Sequence, residues 1–314
     1  MLHQLGYKLN ELNINTYMVY IRYKKNNNEH MPDAFKIYGN NEMTLQDIED
    51  NENNIIVIPE TEIKYVKYFR HAKKYVWWLS VDNFLDYFSL KNVLKTIKKM
   101  GILRFIKYGV LKNKIILDKN ILRYADRNLC QSYYAIHFLK KNNIEKNVYY
   151  LSDYINKTFF TNKNNLKKED IVLYNPRKGL DFTKNLISKS NQLTWIPIQG
   201  MTTEQVKEIL LKSKVYIDFG NHPGKDRFPR EAAMCGCCVI TGKKGAAGFE
   251  KDVPICDEFK FDDEISDQNI EKIIKKIEEC IKNYDEEILK FKNYKEFIKS
   301  EEEKFENDIK QNFI

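Results

Sequence analysis

Val215-Tyr216-Ile217-Asp218-Phe219-Gly220-Asn221-His222-Pro223-Gly224-Lys225-Asp226-Arg227-Phe228-Pro229-Arg230-Glu231-Ala232-Ala233-Met234-Cys235-Gly236-Cys237-Cys238-Val239-Ile240 decides the reading of this chain. Up to Phe219 the residues are nearly all apolar, as a strand covered on both faces requires. A loop with two Gly and a Pro follows. A helix is expected near Pro229, a residue favoured in a first turn. Gly236 suits its C-terminal stop, and another buried strand begins at Cys237. Ligands of open α/β sheets bind beyond strand C-termini of this kind. The loop offers backbone N–H groups around Gly220, the cations Lys225, Arg227 and Arg230, and a helix N-terminus, all suited to phosphate. Glu231 lies in the first turn, where a carboxylate can accept two ribose hydroxyls. The plainer alternative is that Glu231 only complements the helix dipole while the cations are solvated.

Outward from this segment the same alternation recurs. Apolar runs at 15–22, 54–59, 75–81, 127–132 and 147–151 read as strands of a first block, and those at 170–175, 193–198, 214–219 and 237–241 as strands of a second. Helices over 133–141 and 204–212 lie between them, the latter opened by a capping box of Thr202 and Gln205. Ile270, Ile273, Ile274, Ile277 and Ile281 form one helical stripe. Two doubly wound α/β domains are expected, residues 1–160 and residues 161–262, followed by C-terminal helices over 263–314. The polar stretch 156–168 reads as the linker. A doubly wound domain opens on a strand and a Gly-rich turn, whereas this chain opens on an apparent helix from Leu2 to Leu12. Either the first strand of the N-terminal domain is lacking or its sheet is incomplete.

With 43% apolar and 13% aromatic residues the 314-residue chain can build cores, which excludes a disordered or collagen-like protein. Its net charge of +8 suits anionic ligands without choosing among nucleotides, lipid head groups and nucleic acid. The six Cys have no framework spacing and read as reduced thiols of a cytoplasmic protein. Cys235, Cys237 and Cys238 invite a zinc reading, but no C-x-x-C or His pair accompanies them, so they are expected in the core. No apolar run approaches the ~20 residues that span a bilayer.

The central segment resembles the C-terminal domain of GT-B glycosyltransferases, in which Glu-Ala, a Gly and Val-Ile mark the helix and strand that hold the nucleotide of a sugar donor. Glu231-Ala232, Gly236 and Val239-Ile240 match that pattern. The likeness extends back through Trp195–Ile198 and Met201-Thr202 to Tyr174-Asn175-Pro176-Arg177-Lys178-Gly179, and forward through Gly242–Gly248 to Asp252. A narrower resemblance is to bacterial surface-polysaccharide transferases, on Trp77–Asn83, Leu151–Ile155 and the Asp-Phe-Gly…His-Pro-Gly-Lys-Asp-Arg loop. The sequence departs from the Glu, seven residues, Glu pattern of many retaining members, because Pro223 stands eight residues before Glu231.

The resemblance implies two Rossmann-like domains facing a cleft, with the helices over 263–314 partly crossing back to the N-terminal domain. It implies transfer of a sugar from a nucleotide-diphosphate donor to a saccharide or lipid-linked acceptor in surface-polysaccharide synthesis, with no metal and no cofactor. Arg177, Lys178 and Lys225 would neutralise the leaving diphosphate, Glu231 would grip the ribose, and Asp82 and His222 are the candidate bases or acids. The 90–117 stretch has eight cations and no acid, interleaved with aliphatic residues. It suits contact with the inner face of an anionic membrane, or equally a helix pair with a solvated basic face. Other readings are a GT-B-like nucleotide-binding protein with impaired catalysis and, further off, a basic nucleic-acid-binding protein. A dinucleotide-dependent oxidoreductase is excluded by the lack of G-x-G-x-x-G after a strand.

Overall fold

A computed structural model describes residues 1–21, 31–87, 122, 124–160 and 167–314. The basic 90–117 stretch lies outside the described residues. Strands β3 (Ile55–Pro59), β4 (Lys73–Trp78), β5 (Arg127–Cys130) and β6 (Val148–Tyr150) form a four-stranded parallel sheet in chain order. Two short strands before it, β1 (Tyr17–Val19) and β2 (Asn41–Met43), pair in parallel with each other. The second sheet is parallel, with the order β11 (Lys260–Phe261), β10 (Cys238–Gly242), β9 (Ser213–Asp218), β7 (Glu169–Tyr174), β8 (Thr194–Pro197). Numbered within its own unit that order is 2-1-3-4-5, a doubly wound sheet whose direction reverses between β7 and β9.

Continuous apolar strands are explained by cover on both faces. Trp77 and Trp78, adjacent on β4 and both fully buried, point to opposite sides of their sheet. Trp77 packs in a cluster with Leu5 and Leu9 of α1 (Leu2–Glu11) and with Phe305 and Ile309 of the last helix, Glu301–Phe313. Trp78 packs with Val81, which opens α2 (Val81–Tyr87), and with Ala135 and Leu139 of α3 (Tyr133–Lys141). Each indole N–H is satisfied, by the Leu151 carbonyl at 3.2 Å and by Asn128 Oδ1 at 3.1 Å.

The second sheet is sandwiched in the same way. Four residues of the isoleucine stripe, Ile270, Ile273, Ile274 and Ile277, are buried in its core together with Cys235, Cys237 and Cys238. The helix before β9, α5 (Thr203–Lys212; α4 being Leu180–Ser188), carries the capping box read from the sequence, with both reciprocal bonds formed. α6 (Arg227–Met234) begins two residues earlier than Pro229 suggests and ends before Gly236, whose φ of +86° is a left-handed conformation. The ammonium of Lys168 donates to the carbonyls of Leu210, Ser213 and Cys235, so one side chain caps the C-terminal ends of α5 and α6 together. Within the expected linker, Phe159 is buried in the second core, so that segment is packed where it is described.

Candidate functional site

The loops that leave β7 and β9 meet at the reversal point. Gly179, at φ +59°, and Gly220, at φ +95°, touch backbone to backbone. A Cβ on Gly179 would lie 2.3 Å from the Phe219 carbonyl oxygen, and one on Gly220 would lie 2.6 Å from the Gly179 nitrogen. Only glycine satisfies both the conformation and the spacing. The amide of Gly220 donates to Asp263 Oδ2 at 2.8 Å. The turn after β11 thus already holds the N–H that Gly220 was expected to offer a phosphate.

Around this contact stands a compact charge cluster. Lys178 Nζ lies 2.6 Å from Asp226 Oδ2 and 3.0 Å from Asp218 Oδ1. His222 Nδ1 lies 2.8 Å from Asp226 Oδ2, and its Nε2 3.1 Å from the Asp218 carbonyl oxygen. Burial opposes the charge on Lys178, but Asp218 and Asp226 more than compensate and raise its pKa. Burial also works against the Asp226 carboxylate, and contact with His222 and Lys178 outweighs it, lowering its pKa. Asp226 is the residue before α6 but forms no side-chain cap, because its carboxylate is taken by Lys178 and His222. His222 is fully buried and its backbone pairs with the Gly245 turn.

A second cluster sits one turn further on. The Arg230 guanidinium contacts Glu301 Oε2 at 2.8 Å, both Asp153 oxygens at 3.1 Å, the Lys225 carbonyl at 2.9 Å and, through Nε, the Asp226 carbonyl at 3.1 Å. Lys225 Nζ meets Glu301 Oε1 at 2.8 Å. Two cations and two anions, all buried, balance one another. Burial alone would raise the Asp153 carboxyl, yet the Arg230 and Lys225 charges hold it down at about 2. Burial would also lower Lys225, and the Glu301 charge raises it instead.

The loop between the clusters is fastened to the first sheet. Val81 N–H donates to the Pro223 carbonyl, and Gln131 accepts from Lys225 N–H at 3.0 Å. A Cβ on Gly224 would lie 2.2 Å from the Leu79 carbonyl oxygen. Asp252 reaches the other way, accepting from the first amides of α3, those of Tyr133 and Tyr134, at 2.8 and 3.0 Å. Burial lifts its carboxyl to about 6 against those two bonds. Asp82 lies beside this junction and accepts from the Tyr134 hydroxyl at 2.7 Å. The cap of α2 is Ser80, not Asp82: Ser80 Oγ accepts from Asn83 N–H.

A sucrose-phosphate synthase from Thermosynechococcus elongatus superposes with TM-score 0.64 over 98% of this chain and 90% of that one, at 15% identity. An alpha-glucosyltransferase in complex with UDP-glucose and DNA containing an abasic site gives 0.52 over 98% and 94%, at 11% identity. The fold is GT-B. S. aureus TarM, solved with fondaparinux, alpha-GlcNAc-glycerol and UDP, matches this GT-B chain with TM-score 0.55 at 14% identity, over 86% of this chain and 54% of TarM. No family model and no curated protein matches the sequence.

Several sequence expectations for the GT-B site need correction. Lys225 and Arg230 do not present their charges to a ligand; they are consumed by Glu301 and Asp153. His222 is sealed from solvent, so it is not a proton carrier for a substrate hydroxyl as it stands. Lys178 is at the expected turn but is held by two carboxylates. Arg177 and Arg227 are exposed. Glu231 is buried and its carboxylate accepts no hydrogen bond from the described residues. Burial raises its pKa, opposed by the charges of Arg227 and Arg230. Asp153, Glu301, Gln131 and Tyr134 were not singled out from sequence. Of these, only Asp153 carried a signal, inside the Leu151–Ile155 resemblance.

Proposed function

We propose that the protein is a glycosyltransferase that takes a sugar from a nucleotide-diphosphate donor and delivers it to a saccharide or lipid-linked acceptor in surface-polysaccharide synthesis. One observation carries this reading. On a GT-B frame, at the reversal point of the second sheet, Glu231 is a buried carboxylate with no hydrogen-bond donor of its own among the described residues, beside the exposed cation Arg227. A pentose diol supplies two donors to such a group, and Arg177, Arg227 and the N-terminus of α6 supply positive potential for a diphosphate. Lys178 joins them when the anion outcompetes Asp218 and Asp226. Asp82, oriented by Tyr134, is the residue we assign to the acceptor hydroxyl. Two neighbours of this fold are described in complex with UDP or UDP-glucose, which favours testing a uridine nucleotide first.

The test is a thermal-shift panel of UDP, GDP and ADP, followed by turnover with the matching nucleotide sugars. A ligand at about 100 times its Kd adds roughly 2.7 kcal/mol to stability, a readily measured rise in Tm. Absence of any shift with all three nucleotides at millimolar concentration refutes the reading. A shift without turnover on any acceptor class instead favours the catalytically impaired nucleotide-binding protein.

A further inference from the structure

We propose that Asp252 is a positioning residue for the reaction, setting the Asp82 carboxylate from the second sheet by way of Tyr134. Asp252 lies between β10 and β11 and is fully buried. Its Oδ1 accepts from Tyr133 N–H at 2.8 Å and its Oδ2 from Tyr134 N–H at 3.0 Å. Phe249, three residues earlier, meets the Tyr134 ring with the centroids 5.9 Å apart. Tyr134 is thus gripped at its backbone and at its ring, and its hydroxyl donates to Asp82 Oδ1 at 2.7 Å. Among the described residues the Asp82 carboxylate has no other hydrogen bond or ion pair. The turn that carries it is fastened separately: Glu60 Oε2 accepts from Leu79 N–H at 2.9 Å, and Val81 N–H donates to the Pro223 carbonyl at 2.8 Å. What is left to move is the carboxylate itself. Tyr134 fixes one of its oxygens and leaves the other for an acceptor hydroxyl.

A helix cap alone does not call for this residue. Asn caps a helix as well as Asp does, without the cost that burial puts on a charge, and burial lifts the Asp252 carboxyl to about 6. What the carboxylate adds is a second acceptor. Asn offers one carbonyl oxygen and would turn its NH₂ toward the other amide. Only the ionised acid satisfies both N–H groups, and with them the start of α3 and the direction of Tyr134. Charged and titratable groups face it from each neighbouring element. Lys225 and Lys260 favour its ionisation. Burial raises the pKa of the Tyr150 hydroxyl on β6 and of the Cys130 thiol on β5, and the Asp252 charge adds to both. Lys251 stands over the Tyr133 ring, and His137 of α3 meets Phe249. A buried acid kept at a cost to stability, where a neutral residue would cap, is expected at a functional site. The link to catalysis rests on the proposed transferase reading; the link from Asp252 to Asp82 rests on the contacts alone.

The experiment follows ¹³C signals of the Asp carboxyls and Tyr Cζ atoms against pH in wild type, Asp252→Asn and Tyr134→Phe, with Asp82→Asn to assign Asp82. In wild type the Asp82 carboxyl and Tyr134 Cζ should each show a step near pH 6, where Asp252 gains its proton and one amide loses its acceptor. The step should vanish from both signals in Asp252→Asn, and from Asp82 in Tyr134→Phe. Circular dichroism verifies folding. Turnover is read as release of nucleoside diphosphate from UDP-, GDP- and ADP-glucose. Asp252→Asn and Tyr134→Phe should each lower kcat at least about tenfold with KM changed less than about twofold. Asp252→Asn should also flatten the acid limb of the kcat profile near pH 6. An Asp82 signal with no step in wild type, or one that Asp252→Asn leaves unchanged, overturns the proposal. So does wild-type kcat in Asp252→Asn. A wild type that shows the carbon steps but releases no diphosphate from these donors refutes the transferase reading and leaves the link between Asp252 and Asp82 standing.

Discussion

Arg230→Met tests whether the buried quartet joining the two sheets exists as described. The substitution conserves volume and aliphatic contact but deletes the charged contacts to Asp153 and Glu301 and two bonds to backbone carbonyls. It leaves Lys225 as the lone cation between two buried carboxylates. Removing one partner of such a set costs about 3–5 kcal/mol, since the loss includes the penalty of a buried charge left uncompensated. For a chain of this size that is roughly 5–8 °C in Tm. The pH dependence is sharper still. The Asp153 carboxyl moves from its ordinary 3.8 to about 2 in the folded chain. A depressed acid adds stability that is complete above its unfolded value and is lost as pH falls through the folded one. At 1.36 kcal/mol per unit the difference is about 2 kcal/mol. The wild type's advantage over Arg230→Met should therefore be full above pH 4 and shrink between pH 4 and pH 2. Urea unfolding followed by tryptophan fluorescence across that range measures it. Adding Asp153→Asn to Arg230→Met should restore more than about 1 kcal/mol, because it removes the charge left behind. A single variant within about 1 kcal/mol of wild type at pH 7, with no pH dependence, would refute the reasoning.

Three further outcomes are expected. Gly220→Ala places a methyl 2.6 Å from the Gly179 nitrogen at φ +95° and should cost about 2 kcal/mol or more, with loss of nucleotide protection in the same melts. Glu231→Gln removes a carboxylate that burial already disfavours; it should leave Tm unchanged or raised while weakening UDP at least about tenfold, and an unaltered affinity would sink the ribose assignment. Asp252 has its carboxyl raised from 3.8 to about 6, so its ionised form costs the folded chain stability that appears as pH rises through that window. Relative to wild type, Asp252→Asn should gain about 3 kcal/mol between pH 4 and pH 7, and a difference flat in pH would be the contrary result.

How far the sequence could be read depended on the range of each interaction. Strand runs such as 55–59 and 127–130, the capping box at Thr202 and the glycine stop at Gly236 are local, and the structure forms each within a few residues of its expected place. Tyr17–Val19 falls within the run 15–22 read as a strand, whereas Asn41–Met43 and the two-residue strand at Lys260 have too few residues for a period to show. The site misreadings share one cause. Lys225 and Arg230 look like ligand cations because their own loop contains no acid to spend them on except Asp226. Glu301, however, stands 71 residues from Arg230, and Asp153 stands 77 away, beyond any spacing rule. The same blindness hid Asp263, which takes the Gly220 amide from 43 residues downstream.

Those long-range pairs change what the loop can do. A count of basic residues between Lys225 and Arg230 suggests three cations for a diphosphate, but only Arg227 of that stretch is exposed. The positive charge that can be aimed at a ligand is then Arg177, Arg227 and whatever fraction of Lys178 an anion can pull from Asp218 and Asp226. Lys178 is the one of these that a bound anion must first draw out of ion pairs, those with Asp218 and Asp226. Donor affinity in this site should therefore depend on the cost of releasing Lys178 more than on the number of arginines. Neutralising Asp226 with Asn removes the contact at 2.6 Å that holds the ammonium back. Asp226→Asn should therefore strengthen UDP binding, whereas a weakened or unchanged affinity would mean that Lys178 never reaches the diphosphate.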